Sequence, residues 1–297
     1  MLWIVVTLAA AAAQTARNAM QSSLTSALGT LGATQVRFLF GLPFAVAFLA
    51  VACFVSGQGL STTTSSFFAF TAAGAVAQIL GTVALLAAMQ ARSFSVATAF
   101  SKTEAVQVSV FGLILLGDAL SPLKGVAILI ATAGVFLMAF KPGERLTRAT
   151  SLPVLQGIAA GGLYALAAVG FRGGIMSLSP DTIFYVRACQ TLVCSLFIQS
   201  LLLGVWMFAF QRPQLIKSFG LWRQSSFAGF MGALASQFWF LGFSLTTAAN
   251  VRTLGLLEVI FAQFVSQRVF SQSLTWRELA GMLLVIVGVG LLLASQA

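Results

Sequence analysis

Few residues in this chain can do chemistry, and the ones that can lie mostly where the sequence is most apolar. Glu104 and Glu258 are the carboxylates set inside apolar segments, and Lys102 lies two residues before the first of them. An ionisable group within a membrane segment is costly, so it marks a transport path, a proton relay or an internal ion pair. Ser101 and Gln107 fall three residues to either side of Glu104, on its helix face. Glu258 has no basic neighbour one turn away, since Arg252 is six residues back, and Gln263 is also off its face. Three readings of Glu104 stand together: a proton or substrate-amine site, a hydrogen bond that holds a helix interface, or the end of a capping box in Ser101-Lys102-Thr103-Glu104. The first two also apply to Glu258. Lys102 either snorkels its ammonium toward the membrane surface, pairs internally, or meets a substrate carboxylate.

Other polar side chains recur at helical spacing. Gln14 and Asn18 are one turn apart, as are Gln78 and Thr82. Tyr164 and Gln156 share a segment with Gly157, Gly161 and Gly162, small residues that let helices approach closely. Gln237 and Trp239 lie in an aromatic cluster, with Trp239 far from either end of its segment. Trp3, Trp206, Trp222 and Trp276 instead fall near segment ends, where tryptophan anchors the membrane interface. The candidate substrate-binding set is therefore Gln14, Asn18, Gln78, Thr82, Lys102, Tyr164, Gln237 and Trp239, with Glu104 and Glu258 as proton or structural acids. The plainer reading of each is helix packing.

What is missing argues against an enzyme. The chain has no histidine, no phosphate loop and no glycine-rich strand-to-helix turn, so no catalytic residue, cofactor or metal is expected. Cys53, Cys189 and Cys194 lie in apolar runs and read as packing residues.

The elements that position these residues follow from composition. The 297 residues are 59% hydrophobic and only 7% charged, with a mean hydropathy of +0.99. Soluble domains are about 25% charged, so the reading is an all-α integral membrane protein with the lipid bilayer as its solvent. The net charge of +10 lies mostly at segment ends, as a membrane protein requires, and does not imply nucleic acid. Runs long enough to cross the hydrocarbon core fall at roughly 2–21, 33–55, 66–90, 95–116, 122–140, 153–172, 181–208, 224–245, 250–270 and 276–295. The first run, ending in five alanines, resembles a signal peptide but has no positive n-region and is read as a retained span. Ser121-Pro122 and Ser179-Pro180 read as helix starts, and Thr275 to Glu278 as a capping box opening the last helix.

A polar stretch near Lys141 divides these ten helices five and five, giving repeats at 1–141 and 153–297 with a linker at 142–152. The landmarks recur in order: Val36-Arg37 and Val186-Arg187, the two acids, and glycines nine apart at Gly125 and Gly134 and again at Gly281 and Gly290. Because five is odd, the second repeat enters the membrane from the opposite side. That is the inverted-repeat plan of secondary transporters, whose sites lie near the midplane between repeats. Lysine and arginine concentrate after odd-numbered helices, as in the linker and in Arg212, Lys217 and Arg223, with Arg17 and Arg37 counted there and Arg252 in an even-numbered break. On that count both termini face the periplasm.

This order of landmarks resembles the drug/metabolite transporter superfamily in its EamA-type branch. Val36-Arg37-Phe38, the acids Glu104 and Glu258, and Leu116-Gly117-Asp118 are similar to that family's motifs. Ala105 and Val259 stand where the family usually has proline, and Ser271-Gln272 departs from the motif. The resemblance implies ten helices around a central cavity. Among that family's members the amino-acid exporters, including the YddG type for aromatic residues, are similar in size and half-organisation, although the motifs themselves do not give the substrate. The expectation is export of amino acids, aromatic or neutral ones favoured, or of similar small metabolites, by a monomer in the inner membrane. A multidrug exporter is the nearer alternative and a non-transporting scaffold the remoter one.

Overall fold

The computed structural model describes the chain except for residues 92–99, 140–147, 262–274 and 296–297. At 18–23, 25–26, 30, 86–87, 89–91, 139, 148–151 and 153 it describes the backbone only. The described residues form helices and no strand: α1 (Leu2–Leu39), α2 (Leu42–Ser56), α3 (Ser65–Ala91), α4 (Glu104–Leu116), α5 (Pro122–Ala139), α6 (Arg148–Met176), α7 (Phe184–Phe210), α8 (Arg212–Gly220), α9 (Trp222–Leu245), α10 (Ala248–Leu254) and α11 (Trp276–Ala294). In a bilayer only a helix or a closed barrel satisfies every backbone group, so an apolar chain without strands has one solution. Among the described residues six stretches are long and apolar enough to span: Leu31–Ser56, Ser65–Leu85, Val154–Met176, Phe184–Phe210, Trp222–Leu245 and Trp276–Ala294. Leu2–Arg17, Glu104–Leu116 and Pro122–Met138 are shorter apolar helices. The chain is an α-helical membrane protein.

Several boundaries differ from those expected. The polar gap predicted at 22–32 is helical, and the break is confined to Gly29, with φ 69° and ψ 174°. Glycine alone adopts that backbone without cost. The expected second span is interrupted at Phe40 and Gly41, and Pro43 lies in the first turn of the new helix α2. Pro180 does not open a helix. The Ser179 hydroxyl accepts the Asp181 N–H in a turn, and α7 begins only at Phe184, after Gln58 Oε1 takes the Ile183 N–H at 2.7 Å. The short helix α8 stands where a break was expected, and α6 begins at Arg148, inside the stretch read as a linker. The cap at Ser121 forms, and so does the box in which Thr275 and Glu278 exchange bonds before α11.

The chain divides into two compact units, one of Met1–Ile79 with Gly170–Thr246 and the other of Leu80–Val169 with Thr247–Ala297. Each draws on both sequence halves, and α3 and α6 contribute to both. In the first unit α1 packs along α9, and α7 packs on α1, α2 and α9. Glycines permit this closeness. A Cβ at Gly170 would stand 2.8 Å from the Gly74 Cα, and one at Gly229 2.5 Å from the Phe40 backbone. In the second unit α5 packs along α11 and α4 against α10. A Cβ at Gly134 would lie 2.6 Å from the Gly281 carbonyl oxygen, so these two glycines seal the α5–α11 contact.

Candidate functional site

The second unit gathers four opposite charges at two interrupted helices. The turn at Lys102 and Thr103 ends one helical segment just before α4 begins with Glu104. The tighter 3-10 turn Gly255–Leu257 follows α10 and leads directly into Glu258. Lys102 Nζ pairs with Glu258 Oε1. Arg252 Nε stands 2.9 Å from Glu104 Oε1. The partners are crossed: each acid takes its cation from the other helix. The four side chains are between 11 and 17% exposed. Two cations and two anions leave the set without net charge, the condition under which ionised groups survive at low dielectric.

These contacts bear on the readings of Lys102 and of the cap. Lys102 does not snorkel; it is half-buried in an internal pair. Ser101 is not at the cap of α4: the helix opens at Glu104 itself with Thr103 at its N-cap, and the Thr103 hydroxyl donates to the Phe100 carbonyl at 2.7 Å. Arg252 is not in a break between helices. It lies within α10, and its importance was missed because its partner is remote in sequence. Arg17, also placed in a break, is buried inside α1.

The α6 helix lies against the first interruption. A Cβ at Gly161 would be 2.8 Å from the Ser101 carbonyl and from Thr103 Oγ1. Gln107 Nε2 bridges Thr103 Oγ1 at 2.9 Å and the Ile158 carbonyl at 3.3 Å. Tyr164 donates its hydroxyl to Thr82 Oγ1 at 3.2 Å, so two of the expected residues meet here.

The first unit contains the other candidates. Trp239 is buried, and its indole N–H donates to Gln14 Oε1 at 2.8 Å. Gln78 Oε1 accepts from Gln199 Nε2 at 2.6 Å. Gln237 is buried, and neither its amide nitrogen nor its oxygen makes an aligned hydrogen bond, with the Cys189 thiol its polar neighbour. The side chain of Asn18 lies outside the described residues. Two cations of this unit meet neutral groups. The Arg172 guanidinium donates to the Phe243 carbonyl at 2.8 Å and to that of Thr246, carbonyls that the end of α9 leaves without helical donors. Arg37 reaches Ser236 Oγ at 3.5 Å and stands 5.3 Å from the Phe38 ring centroid. Sequence reasoning named neither Arg172 nor Arg37 as a polar contact. The available signal was an arginine inside an apolar run. Cys53, Cys189 and Cys194 are free thiols.

No family model matches the chain, and no curated protein does. A solved crystal structure, described only as that of a protein, superposes with a TM-score of 0.75 at 14% identity, over 100% of this chain and 98% of its own. At that identity the likeness shows a shared fold.

Proposed function

We propose that this protein is a secondary transporter of the drug/metabolite type, with ten spans in two inverted repeats. In this reading it exports amino acids, aromatic or neutral ones favoured, or similar small metabolites across the inner membrane by alternating access. The observation that carries the reading is the crossed pairing of Lys102 with Glu258 and Arg252 with Glu104 at two helix interruptions. Discontinuous membrane helices that present charged groups are the means by which secondary transporters hold substrates and ions. A scaffold has no need of four ionised groups beside broken helices.

Two consequences follow for mechanism. A solute carrying both an ammonium and a carboxylate offers each pair a replacement partner, so it can part the helices without leaving a charge stranded. Cationic drugs offer only half of that exchange, which places the multidrug alternative second. The test is flux in vesicles containing the purified full-length protein and a panel of labelled amino acids. Counterflow of at least one of them above protein-free vesicles is expected; none at any pH would refute the proposal.

A further inference from the structure

We infer that the segment from Trp206 to Arg223 binds anionic phospholipid headgroups, and that this binding steadies the break in α1 at Gly29. This inference is independent of what the protein transports. Arg212, Lys217 and Arg223 lie within this short segment, and the sequence has no acidic residue between Asp181 and Glu258. All three are exposed, as are Phe208, Phe219 and Trp222. The Arg212 guanidinium lies 5.2 Å from the Phe208 ring centroid and that of Arg223 5.4 Å from the Trp222 ring. Cations held over aromatic rings at the end of a span belong at headgroup depth, where anionic lipid concentrates around basic side chains. The short helix α8 turns Ser218 inward and leaves Ile216 and Lys217 outward, as a helix lying on a membrane surface does.

The same helix touches α1 on both sides of its break. Lys217 Nζ donates to the Ala27 carbonyl at 2.8 Å. That carbonyl belongs to the last turn before Gly29, where helical donors are missing. Phe219 meets Phe40 with centroids 5.4 Å apart, and Leu221, the residue that ends α8, packs against the buried cluster of Leu24, Leu28, Ala33, Val36 and Ala228. An ammonium has three donors. Lys217 can therefore hold Ala27 and still offer two N–H groups to a lipid phosphate, so a bound headgroup fixes the clamp instead of displacing it.

The full-length protein in detergent, titrated with phosphatidylglycerol, phosphatidylcholine or inorganic phosphate, tests both parts. Native mass spectrometry reads lipid occupancy, and hydrogen exchange over residues 24–36 reads the break. Phosphatidylglycerol is expected to bind in preference and to slow exchange, while the other two do neither. Each cation near a membrane surface is worth about fivefold in affinity for anionic lipid, so replacing Arg212, Lys217 and Arg223 together by Gln should weaken binding by roughly a hundredfold. Lys217→Gln alone should weaken binding only about fivefold and lose the effect on exchange. Equal occupancy by phosphatidylcholine, or unchanged binding by the triple variant, overturns the lipid site. Lipid binding that leaves exchange over 24–36 unaltered overturns its link to Gly29.

Discussion

Lys102 and Arg252 in the second unit meet different kinds of group from Arg172 and Arg37 in the first. In the second, Lys102 and Arg252 each face a carboxylate across a helix interface. In the first, Arg172 and Arg37 are met by carbonyls and a hydroxyl, and the unit's one carboxylate, Asp181, is exposed in the turn before α7. A neutral dipole that meets a cation is not left charged when the two part. A cation held by an anion is tied to a partner that must move with it or be replaced.

Breaking one side of the second arrangement should have the largest effect. Glu258→Gln or Lys102→Met strands a charge within the helices, and loss of about 3 kcal/mol of stability is expected, read as a fall in melting temperature together with loss of flux. The double reversal Lys102→Glu with Glu258→Lys should regain most of that stability. If it regains transport as well, the pair only fastens α4 to the α10 segment. Next in size is Gly134→Ala, whose new methyl would meet the Gly281 carbonyl; overpacking of this kind costs about 1–3 kcal/mol and is checked by the same melts.

Smaller effects test the first unit. Arg172→Gln should cost about 1–2 kcal/mol, because it removes the donor to the Phe243 and Thr246 carbonyls. A loss as large as that of Lys102→Met would erase the contrast between the units. Trp239→Phe should cost about 1 kcal/mol by leaving Gln14 Oε1 without its donor, and a flux assay on this variant separates packing from substrate contact.

Much of the fold was legible because hydropathy acts segment by segment. The helices expected at 66–90, 122–140 and 276–295 are found within a few residues as α3, α5 and α11, and the Thr275 box is a local signal that needs no partner. Hydropathy did not locate the break at Gly29, because it registers how polar a stretch is and not which residue can adopt positive φ. Nor did it register α8, whose mixed residues average to a loop.

The candidate site was legible in part. Lys102, Glu104 and Glu258 announced themselves as charges in apolar runs, and Trp239 and Tyr164 as polar aromatics away from segment ends. Their partners did not, since spacing along one helix reports only neighbours three or four residues away. Arg252 lies six residues from Glu258 and so appeared unrelated to either acid.

The sequence by itself determined that the chain is helical and membrane-embedded, because burying an unpaired peptide group in lipid costs several kcal/mol and this composition offers no other solvent. Only the tertiary structure decided which charge neutralises which. Ion pairing depends on separation in space, and helix packing in the second unit brings Glu104 beside Arg252 and Lys102 beside Glu258.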